Sequence, residues 1–406
     1  MRALKIPSLA RIIAVVRQEI ARVRVEVVRL VLVAVVIVLA IIGGGVWLYG
    51  RWAATPLPPV RPSEPPAPTV ITKPRWMDGL PIPADDPQPL AVAVSIDNAP
   101  EARPQMGLAN APVVFVLPVE GKRTRFLAVF EAGEEQEGKG DDIACDAFAC
   151  SGLYVGDVGP IRSARPYFVG LADALGVPLA HAGGSPAAIE LLKTRAHVDE
   201  WYRSPYYRSR TRVAPFNLYG AVADMTTFLS DRNQLGEPRT DAWKLWSFTA
   251  SVFDGVRDGL AFALRSEGER AFTVSWTYDD HLGSRYVRLQ GGQSQYDIGG
   301  IRVSAENVVV LRVNAAVLDR VGRLAIPQLD PPIPASLFPR MPAMVLSDGH
   351  RYEGTWGWED PTGEAGLLGL RHRNDEAGDA GAPILLTPGR TWVEFVTEPW
   401  GMPGSL

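Results

Sequence analysis

Two arginines, Arg162 and Arg165, stand immediately before a predicted helix in the stretch GPIRSARPYF. The helix is expected to begin at Pro166 and to end before Gly176, because proline is favoured at the first helical position and glycine just past the last. A helix N-terminus carries a partial positive charge, which disfavours a cation there by roughly 0.3–1 kcal/mol. The position of these arginines therefore predicts that they meet an anion.

Further polar and charged residues follow the predicted strands. In open α/β sheets, ligands bind at the carboxyl ends of the strands. Helix N-termini bind anions through backbone N–H groups, and the guanidinium fork suits a carboxylate or a phosphate. The candidate ligand-binding residues at these strand and helix ends are Asp97, Asn98, Arg103, Gln105, Glu120, Arg125, Arg162, Arg165, His181 and Ser185.

The anion has two possible sources. Arg162 and Arg165 either pair with internal carboxylates such as Asp97, Glu120 or Asp157 and hold loops in place, or they present their charge to an external anion. These interpretations are compatible, since a paired arginine can still present its outer N–H groups.

Two catalytic interpretations compete with binding. His181 and Ser185 are a possible base and nucleophile, but Ser185 precedes Pro186 without a Gly-x-Ser-x-Gly turn, which is typical of a helix N-cap. Asp97 and Glu120 are a possible acid/base pair, although carboxylates beside arginines are more often ion-pair partners. The sequence therefore assigns no catalytic residue, and it indicates no metal site and no cofactor.

A segment dense in Arg and Tyr, Asp199–Gly220, is a second candidate surface. It either forms one wall of a groove that stacks on sugars or binds acidic groups, or it is an exposed loop in which Arg and Tyr pack against each other. The residues concerned are Tyr206, Tyr207, Arg208, Arg210, Arg212 and Tyr219.

The N-terminal residues predict a single-pass membrane anchor. Leu30–Tyr49 contains 20 residues without a charge, which at about 1.5 Å per residue spans the roughly 30 Å hydrocarbon layer. A secretory signal peptide has a shorter apolar region, of about 7–15 residues. Residues 1–29 carry a net charge of +5, so we expect them in the cytoplasm and the residues after about 50 outside it.

The basic N-terminal segment has apolar residues at helical spacing over residues 12–27. This spacing fits a helix on the inner membrane surface or a cytoplasmic extension of the spanning helix.

The remainder of the chain, after residue 29, carries a net charge of −9. That balance argues against nucleic-acid binding, because a nucleic-acid-binding domain is expected to be basic.

Residues 50–75 predict a stalk. Eight prolines lie between Arg51 and Arg75, which favours a polyproline II spacer of about 3.1 Å per residue.

The chain contains two cysteines, Cys145 and Cys150. Outside the cytoplasm, such a pair predicts a local disulfide that closes one surface loop.

Two domains are expected after the stalk. Residues 76–245 predict an α/β domain, because strand-like runs such as LAVAVSID alternate with helical runs such as PYFVGLADALG, which favours a partly parallel sheet. Residues 246–406 predict a mainly antiparallel β domain, since short runs such as ENVVVLRVN, APILLTPG and RTWVEFV are separated by Gly, Pro and Asp. The run VFDGVRDGLAFAL predicts one helix at the junction.

The blocks DNAPEARPQ, GPIRSARPYF and HAGGSP, and more weakly FNLYG and PGRTWVEF, resemble the YerB-like family of bacterial extracytoplasmic proteins. The FNLYG block adds Asn217 and Tyr219 to the candidate ligand-binding residues. The resemblance covers nearly all of Pro89–Val396 and implies an N-terminal and a C-terminal domain, but no reaction. The family is usually anchored by a lipidated cysteine, whereas this chain has no cysteine before Cys145, so the predicted helix would replace the lipid.

Three functions follow as hypotheses. The first is a cell-envelope protein that binds an anionic or glycan-related ligand through an arginine-rich pocket. The second is an envelope enzyme acting on phosphate-linked polymers or glycans, because the layout is similar to that of LytR-CpsA-Psr proteins. The third is a scaffold that binds an envelope protein partner, with a purely structural arginine cluster.

Overall fold

The computed structural model describes residues 9–53, 71–133, 156–200, 205–240, 244–249, 257–264, 270–331, 339–359, 367–373 and 381–397. The chain divides into two compact units, Met1–Thr69 and Val70–Leu406. Cys145, Cys150 and most of the proline-rich stalk lie outside the described residues. The disulfide and the extended stalk therefore stay predictions.

The described part of the first unit is one uninterrupted helix, α1 (Leu9–Ala53). Its segment Val16–Arg51 is long and apolar enough to cross a membrane. The basic segment and the apolar segment thus form a single helix.

The second unit consists mostly of β-strands, with three short α-helices among its described residues. The strands are β1 (Thr72–Pro74), β2 (Pro81–Pro83), β3 (Ala91–Asp97), β4 (Val113–Val119), β5 (Arg123–Glu131), β6 (Asp157–Val158), β7 (Leu179–Ala180), β8 (His197–Val198), β9 (Tyr206–Arg208), β10 (Leu218–Ala221), β11 (Ala261–Leu264), β12 (Val274–Asp279), β13 (Arg285–Gln290), β14 (Gln293–Ser294), β15 (Ser304–Ala305), β16 (Asn307–Arg312), β17 (Ala316–Val317), β18 (Leu324–Ala325), β19 (Met341–Ser347), β20 (His350–Trp358), β21 (Leu368–His372) and β22 (Thr391–Val396). The helices are α2 (Pro166–Leu175), α3 (Pro186–Leu192) and α4 (Val222–Ser230).

Ten strands form one central sheet, in the order β21-β20-β19-β16-β22-β4-β5-β3-β7-β8. The pairs β3–β7 and β7–β8 are parallel, as the α/β pattern predicts. The last strand, β22, lies between β4 and β16 and runs parallel to both. Strands from both halves therefore hydrogen-bond in one sheet, while the predicted antiparallel pairing of the C-terminal half is present in β16–β19–β20–β21 and in the separate sheet β11–β15.

The alternation of side chains along the strands gives the sheet two apolar faces. One face carries Phe115 and Leu127 and packs with residues of α2 and α3. The opposite face carries Val94 and Phe126 and packs with α4 and with the second sheet, β11–β15. The central strands are consequently buried on both faces, which explains why β3 and β4 read as continuous apolar runs.

Three local predictions need correction. Ala261–Leu264, predicted to end a junction helix, is strand β11 and pairs with β12. The run APILLTPG contributes only isolated bridges, at Pro383 and Leu386, within the described residues. Thr72–Pro74, assigned to the stalk, pairs with β2 in a small antiparallel sheet.

Helix α2 has the predicted boundaries. Pro166 is its first residue, and Gly176 ends it with φ 59°, a left-handed conformation that glycine adopts at little cost. Gly170 faces the C-terminal half, since a Cβ built there would lie 1.9 Å from the carbonyl oxygen of Leu329. A side chain at this position would push α2 away from the residues it packs against.

Candidate functional site

The carboxyl end of β3 lies beside the segment that leads into α2. Asp97 ends β3 and is the register partner of Arg125 in β5. One residue earlier, Ile96 forms an antiparallel bridge with Ile161, so the residues after Ile161 also reach this strand end. The structure thereby collects five of the candidates into what we term the arginine cluster: Asp97, Glu120, Arg125, Arg162 and Arg165.

Arg165 forms a two-pronged ion pair with Glu120. Its Nε and Nη2 donate to the two carboxylate oxygens at 2.6 and 2.8 Å. Its Nη1 donates to Ser163 Oγ at 3.1 Å and to the carbonyl oxygen of Ala164 at 2.8 Å. Although burial opposes ionisation, the hydrogen bonds and charge of Arg165 lower the pKa of Glu120 below its usual value. The anion that Arg165 meets at the helix N-terminus is therefore an internal carboxylate.

Arg125 is the buried member of the cluster, with 6% of its surface exposed. Its Nη1 donates to the carbonyl oxygen of Ser163 at 2.5 Å and to its hydroxyl at 3.3 Å. Its Nε has no hydrogen-bond partner among the described residues. Burial, together with the neighbouring charge of Arg165, lowers the pKa of Arg125 to about 10.

Arg162 is the member that reaches solvent. Its Nε lies 2.5 Å from Oδ2 of Asp97, and 28% of its side chain is exposed, although the N–H is not directed at the carboxylate. The other oxygen of Asp97 accepts the backbone N–H of Ala99 at 2.8 Å. The guanidinium carbon of Arg162 lies 5.7 Å from the ring centre of Phe216. Within the part of the chain that the structure describes, no hydrogen bond engages the terminal nitrogens of Arg162.

The arginine cluster carries an excess of positive charge. Three guanidinium groups, of which one is deeply buried, face two carboxylates. Among the described residues of the cluster, one positive charge is thus uncompensated. This excess charge lies nearest to solvent at Arg162, whose side chain is 28% exposed.

Asn98 and Gln105 are fully buried and act as internal supports. The backbone oxygen of Asn98 accepts a hydrogen bond from Nη2 of Arg103 at 2.8 Å. Gln105 donates through Nε2 to the backbone oxygen of Asp97 at 3.1 Å, and its Oε1 accepts from Gln295 at 3.2 Å. Gln105 therefore links the end of β3 to the C-terminal half of the chain.

His181 lies in a second cluster, at the end of β7. Its Nδ1 is 2.9 Å from the carbonyl oxygen of Gly183 and 3.8 Å from Oδ1 of Asp199, and its ring lies 5.4 Å from that of His197. Burial lowers the pKa of His181, while Asp199 opposes this shift. The side chain has no exposure to solvent, so in this structure it does not contact an external ligand.

The remaining candidates have structural contacts. Ser185 caps α3, since its Oγ accepts the backbone N–H of Ala188 at 3.3 Å, as the Ser-Pro pattern predicts. Asn217 accepts from Nη1 of Arg208 at 2.8 Å and donates to the carbonyl oxygen of Ser209 at 3.3 Å. Neither residue belongs to the arginine cluster.

Tyr219 lies inside the protein rather than on an open groove wall. Its ring is fully buried and lies 6.4 Å from that of Tyr207. Burial raises the pKa of Tyr219 to about 12. Arg212, from the same Arg- and Tyr-rich segment, donates to the carbonyl oxygens of Ala102 and Pro104 at 2.8 and 2.7 Å. Tyr219 and Arg212 thus make internal contacts, which differs from both a groove wall and an exposed loop. No group of three or more His, Cys, Asp or Glu is placed to hold a metal in the described ranges.

Both halves of the second unit match one protein family. Residues 78–234 match the model described as "Protein of unknown function (DUF3048) N-terminal domain", and residues 263–393 match the corresponding C-terminal domain. The chain belongs to the DUF3048 family. Both the Asp97 strand end and the segment leading into α2 fall within the N-terminal match.

This DUF3048 chain is similar to proteins of Bacillus subtilis. It is 37% identical over 105 residues to "Putative lipoprotein YerB" of strain 168, and the alignment covers 26% of each sequence. The chain thus matches about a quarter of the length of that relative. The crystal structure of YerB from Bacillus subtilis matches with a TM-score of 0.59 and 22% identity, over 80% of this chain and 97% of that one. The resemblance to the YerB-like family is confirmed, and the DUF3048 chain shares the YerB fold.

Ser163 and Asp199 are site residues of this DUF3048 protein that the sequence analysis missed. Ser163 accepts hydrogen bonds from both Arg125 and Arg165, and Asp199 lies next to His181. A signal was available for each: Ser163 sits between the two arginines of the motif, and Asp199 directly follows β8, at the same sheet edge as His181.

Replacing Glu120 with Gln is expected to lower the free energy of unfolding of the DUF3048 protein by about 1–3 kcal/mol at pH 7, because Arg165 loses its charged acceptor. The contribution of Glu120 is present above its unfolded pKa near 4.5 and is lost as the pH falls through its lower folded pKa. The difference between parent and variant should therefore shrink below about pH 4, as measured by urea unfolding.

Glu190→Gln is the matched control for this change. Glu190 pairs with Lys193 at the same 2.6 Å, but both side chains are more than 60% exposed, so its loss should cost less than about 1 kcal/mol. Equal effects of the two substitutions would contradict a structural role for the Glu120–Arg165 pair.

Proposed function

We propose that this protein is tethered to the cell membrane by α1, with its N-terminus in the cytoplasm, and that the second unit binds an anionic or glycan-related envelope ligand at the arginine cluster. The length and apolar character of α1 support the tether, as does similarity to a protein named a putative lipoprotein. The basic residues before the apolar segment support the orientation.

One observation carries the ligand proposal: the arginine cluster has one more cation than anion, and the exposed edge of that charge is Arg162. The N–H groups of Arg165 donate hydrogen bonds to Glu120, Ser163 and Ala164. The side chain of Arg125 is buried. Arg162 alone in the cluster combines substantial solvent exposure with terminal nitrogens that lack a described hydrogen bond. A guanidinium in that state can bind a carboxylate or phosphate through two parallel hydrogen bonds.

Thermal unfolding of the full chain in detergent tests this proposal. The probes are phosphate, pyrophosphate, a polyprenyl phosphate analogue and peptidoglycan fragments. A ligand at about 100 times its dissociation constant should stabilise the folded state by roughly 2.7 kcal/mol. We expect one of these classes to stabilise the parent and to lose this effect in Arg162→Gln.

Arg195→Gln is the control for this experiment. The side chain of Arg195 is 29% exposed, and its Nε lies 2.5 Å from Asp173, which matches Arg162 in exposure and in ion-pair distance. Ligand stabilisation should persist in this variant. If none of the probes stabilises the parent, or if Arg162→Gln retains the effect, the cluster is structural and the protein acts through other partners.

A further inference from the structure

The cytoplasmic half of α1 carries an uncharged apolar seam with a seven-residue repeat. Apolar residues alternate at spacings of three and four, which are the a and d positions of a heptad. All six are about half exposed or more, and they are Ile13, Val16, Ile20, Val23, Val27 and Leu30. Every Arg and Glu between Leu9 and Leu30 lies off this seam. Within the described residues of the first unit, nothing covers the seam.

The charges that flank the seam are complementary to those of a second copy of α1 in parallel orientation. With Ile20 at position a, Glu19 occupies a g position and Arg24 the following e position. In a parallel coiled coil, g of one helix contacts e of the next heptad in the other helix, so Glu19 of each copy would face Arg24 of its partner. An antiparallel pair would instead bring like charges together. Within its own helix, Glu19 lies 3.9 Å from Arg22, too far for a hydrogen bond.

The same seam continues into the apolar segment. The next a and d positions are Ala34, Ile37, Ile41 and Gly44, and a Cβ built on Gly44 would meet no atom within 4 Å. Small residues let helix backbones approach closely in a membrane, and left-handed crossings near +20° are common to membrane helix pairs and coiled coils. One helix pair could thus extend from the cytoplasm into the bilayer.

The continuity of α1 favours a straight helix that pairs with a second helix along its length, rather than a helix whose first part lies on the membrane surface. A surface helix that then crosses the bilayer must bend sharply, and sharp bends occur at Pro, Gly or π-bulges. Leu9–Ala53 contains no proline, and its first glycine is Gly43. The basic segment therefore continues the axis of the apolar segment.

We propose that α1 pairs with α1 of a second copy of this chain as a parallel coiled coil along this seam. A two-fold dimer is the simplest closed assembly that buries the same face on both copies. The interface goes beyond ligand binding and is independent of the arginine cluster. Membrane insertion of both copies with the same topology, which is part of the proposed function, would keep the helices parallel.

Cysteine cross-linking of the full chain in membranes tests this interface, in a background carrying Cys145→Ser and Cys150→Ser. Ile20→Cys places a thiol on the seam, and Ala21→Cys places one at the same depth on the outer face. We expect at least tenfold more covalent dimer from Ile20→Cys on oxidation, unchanged when the membranes are diluted with excess lipid. Equal yields from the two variants, or none, would overturn the proposal, and absence of cross-linking would favour the membrane surface as the partner.

Charge reversal tests the register of the pair. Glu19→Arg and Arg24→Glu each replace two attractive contacts per dimer by repulsive ones, so each should weaken dimerisation by about tenfold. The double variant restores the pairing with reversed signs and should recover most of the loss. If the two single changes have no effect, or if the double variant is as weak as the single ones, the proposed alignment is wrong.

Discussion

Replacing Arg288 with Met is expected to lower the free energy of unfolding by about 3–5 kcal/mol. Arg288 lies in β13 and Glu394 in β22, so their contact joins the second sheet to the central sheet. Both side chains are buried, and Nε and Nη2 of Arg288 each lie 3.3 Å from Oε1 of Glu394. Without the guanidinium, the carboxylate keeps one described donor, the indole N–H of Trp276 at 3.2 Å.

Aromatic rings enclose the same guanidinium. Its carbon atom lies 5.0, 5.6 and 5.7 Å from the ring centres of Trp392, Phe126 and Trp276. Cation–π attraction is strongest in such desolvated surroundings, at about 2 kcal/mol or more. Methionine has a similar length and fills much of the space, so the expected loss arises from the charge rather than from a cavity.

Two further variants make the test of Arg288 specific. The double change Arg288→Met/Glu394→Met removes both charges and should be less destabilising than Arg288→Met alone, because no buried charge is left unpaired. Arg285→Met is the matched control in the same strand. Arg285 pairs with Glu306 at 2.8 Å but is 41% exposed, and its loss should cost less than about 1 kcal/mol. Urea unfolding of the full chain in detergent, followed by tryptophan fluorescence, measures all three. A loss below 1 kcal/mol for Arg288→Met would contradict this account.

Replacing Asp297 with Asn is expected to raise the free energy of unfolding at pH 8 by about 2–4 kcal/mol. Asp297 is 3% exposed, and its Oδ2 accepts the backbone N–H of Ala109 at 2.6 Å. Burial raises the pKa of Asp297 to about 7, and the amides of Ala109 and Gly107 oppose this only in part. Among the described residues no cation pairs with it, so the ionised form is costly. Asparagine keeps the acceptor without the charge.

The pH dependence has a definite sign. Because the folded pKa is raised, the stabilising contribution of the neutral carboxyl is complete below the unfolded pKa of 3.8 and is lost as the pH rises through about 7. The parent should therefore lose stability between about pH 4 and pH 7, and Asp297→Asn should be less sensitive over this window. The advantage of the variant should be small at pH 4 and largest at pH 8.

Asp78→Asn is a control for which the free energy of unfolding at pH 8 should fall rather than rise. Asp78 is also buried, but its Oδ1 accepts Nε of Arg75 at 3.0 Å and the backbone N–H of Leu80 at 3.1 Å. Removing its charge leaves Arg75 with a weaker acceptor, so this substitution should destabilise the protein at pH 8. If Asp297→Asn also destabilises at pH 8, the buried carboxylate is compensated by contacts other than those described.

Much of the local structure and the main features of the site were predictable from the sequence. The bounds of α2 follow from Pro166 and Gly176, whose backbone preferences act within one or two residues. The apolar runs of β3 and β4 and the N-cap at Ser185 are equally local. The same local signals brought Asp97, Arg125 and Arg162 into one candidate site, because residues at strand and helix ends converge at the edge of a sheet.

Other features depended on contacts between distant residues. The run VFDGVRDGLAFAL has helical spacing, but pairing with β12 places its last four residues in a strand. Strand β22 enters the sheet beside β4, which lies almost 280 residues earlier in the chain. Short apolar strands carry no local signal for their partner, and several partners would bury them equally well, so the sequence did not show that strands of both halves share the central sheet.

By itself, the sequence determined the long apolar N-terminal helix, the helix and strand boundaries near the site, and the prediction that Arg162 and Arg165 meet anions. Only the tertiary structure decided which anion each arginine meets. Arg165 is neutralised by Glu120, 45 residues away in the chain. Arg162 lies beside Asp97, whose charge also acts on Arg125, and 28% of the Arg162 side chain stays exposed to solvent. The physical reason is that residue type defines what a side chain can bind, while burial and the distance to the nearest opposite charge decide what it does bind.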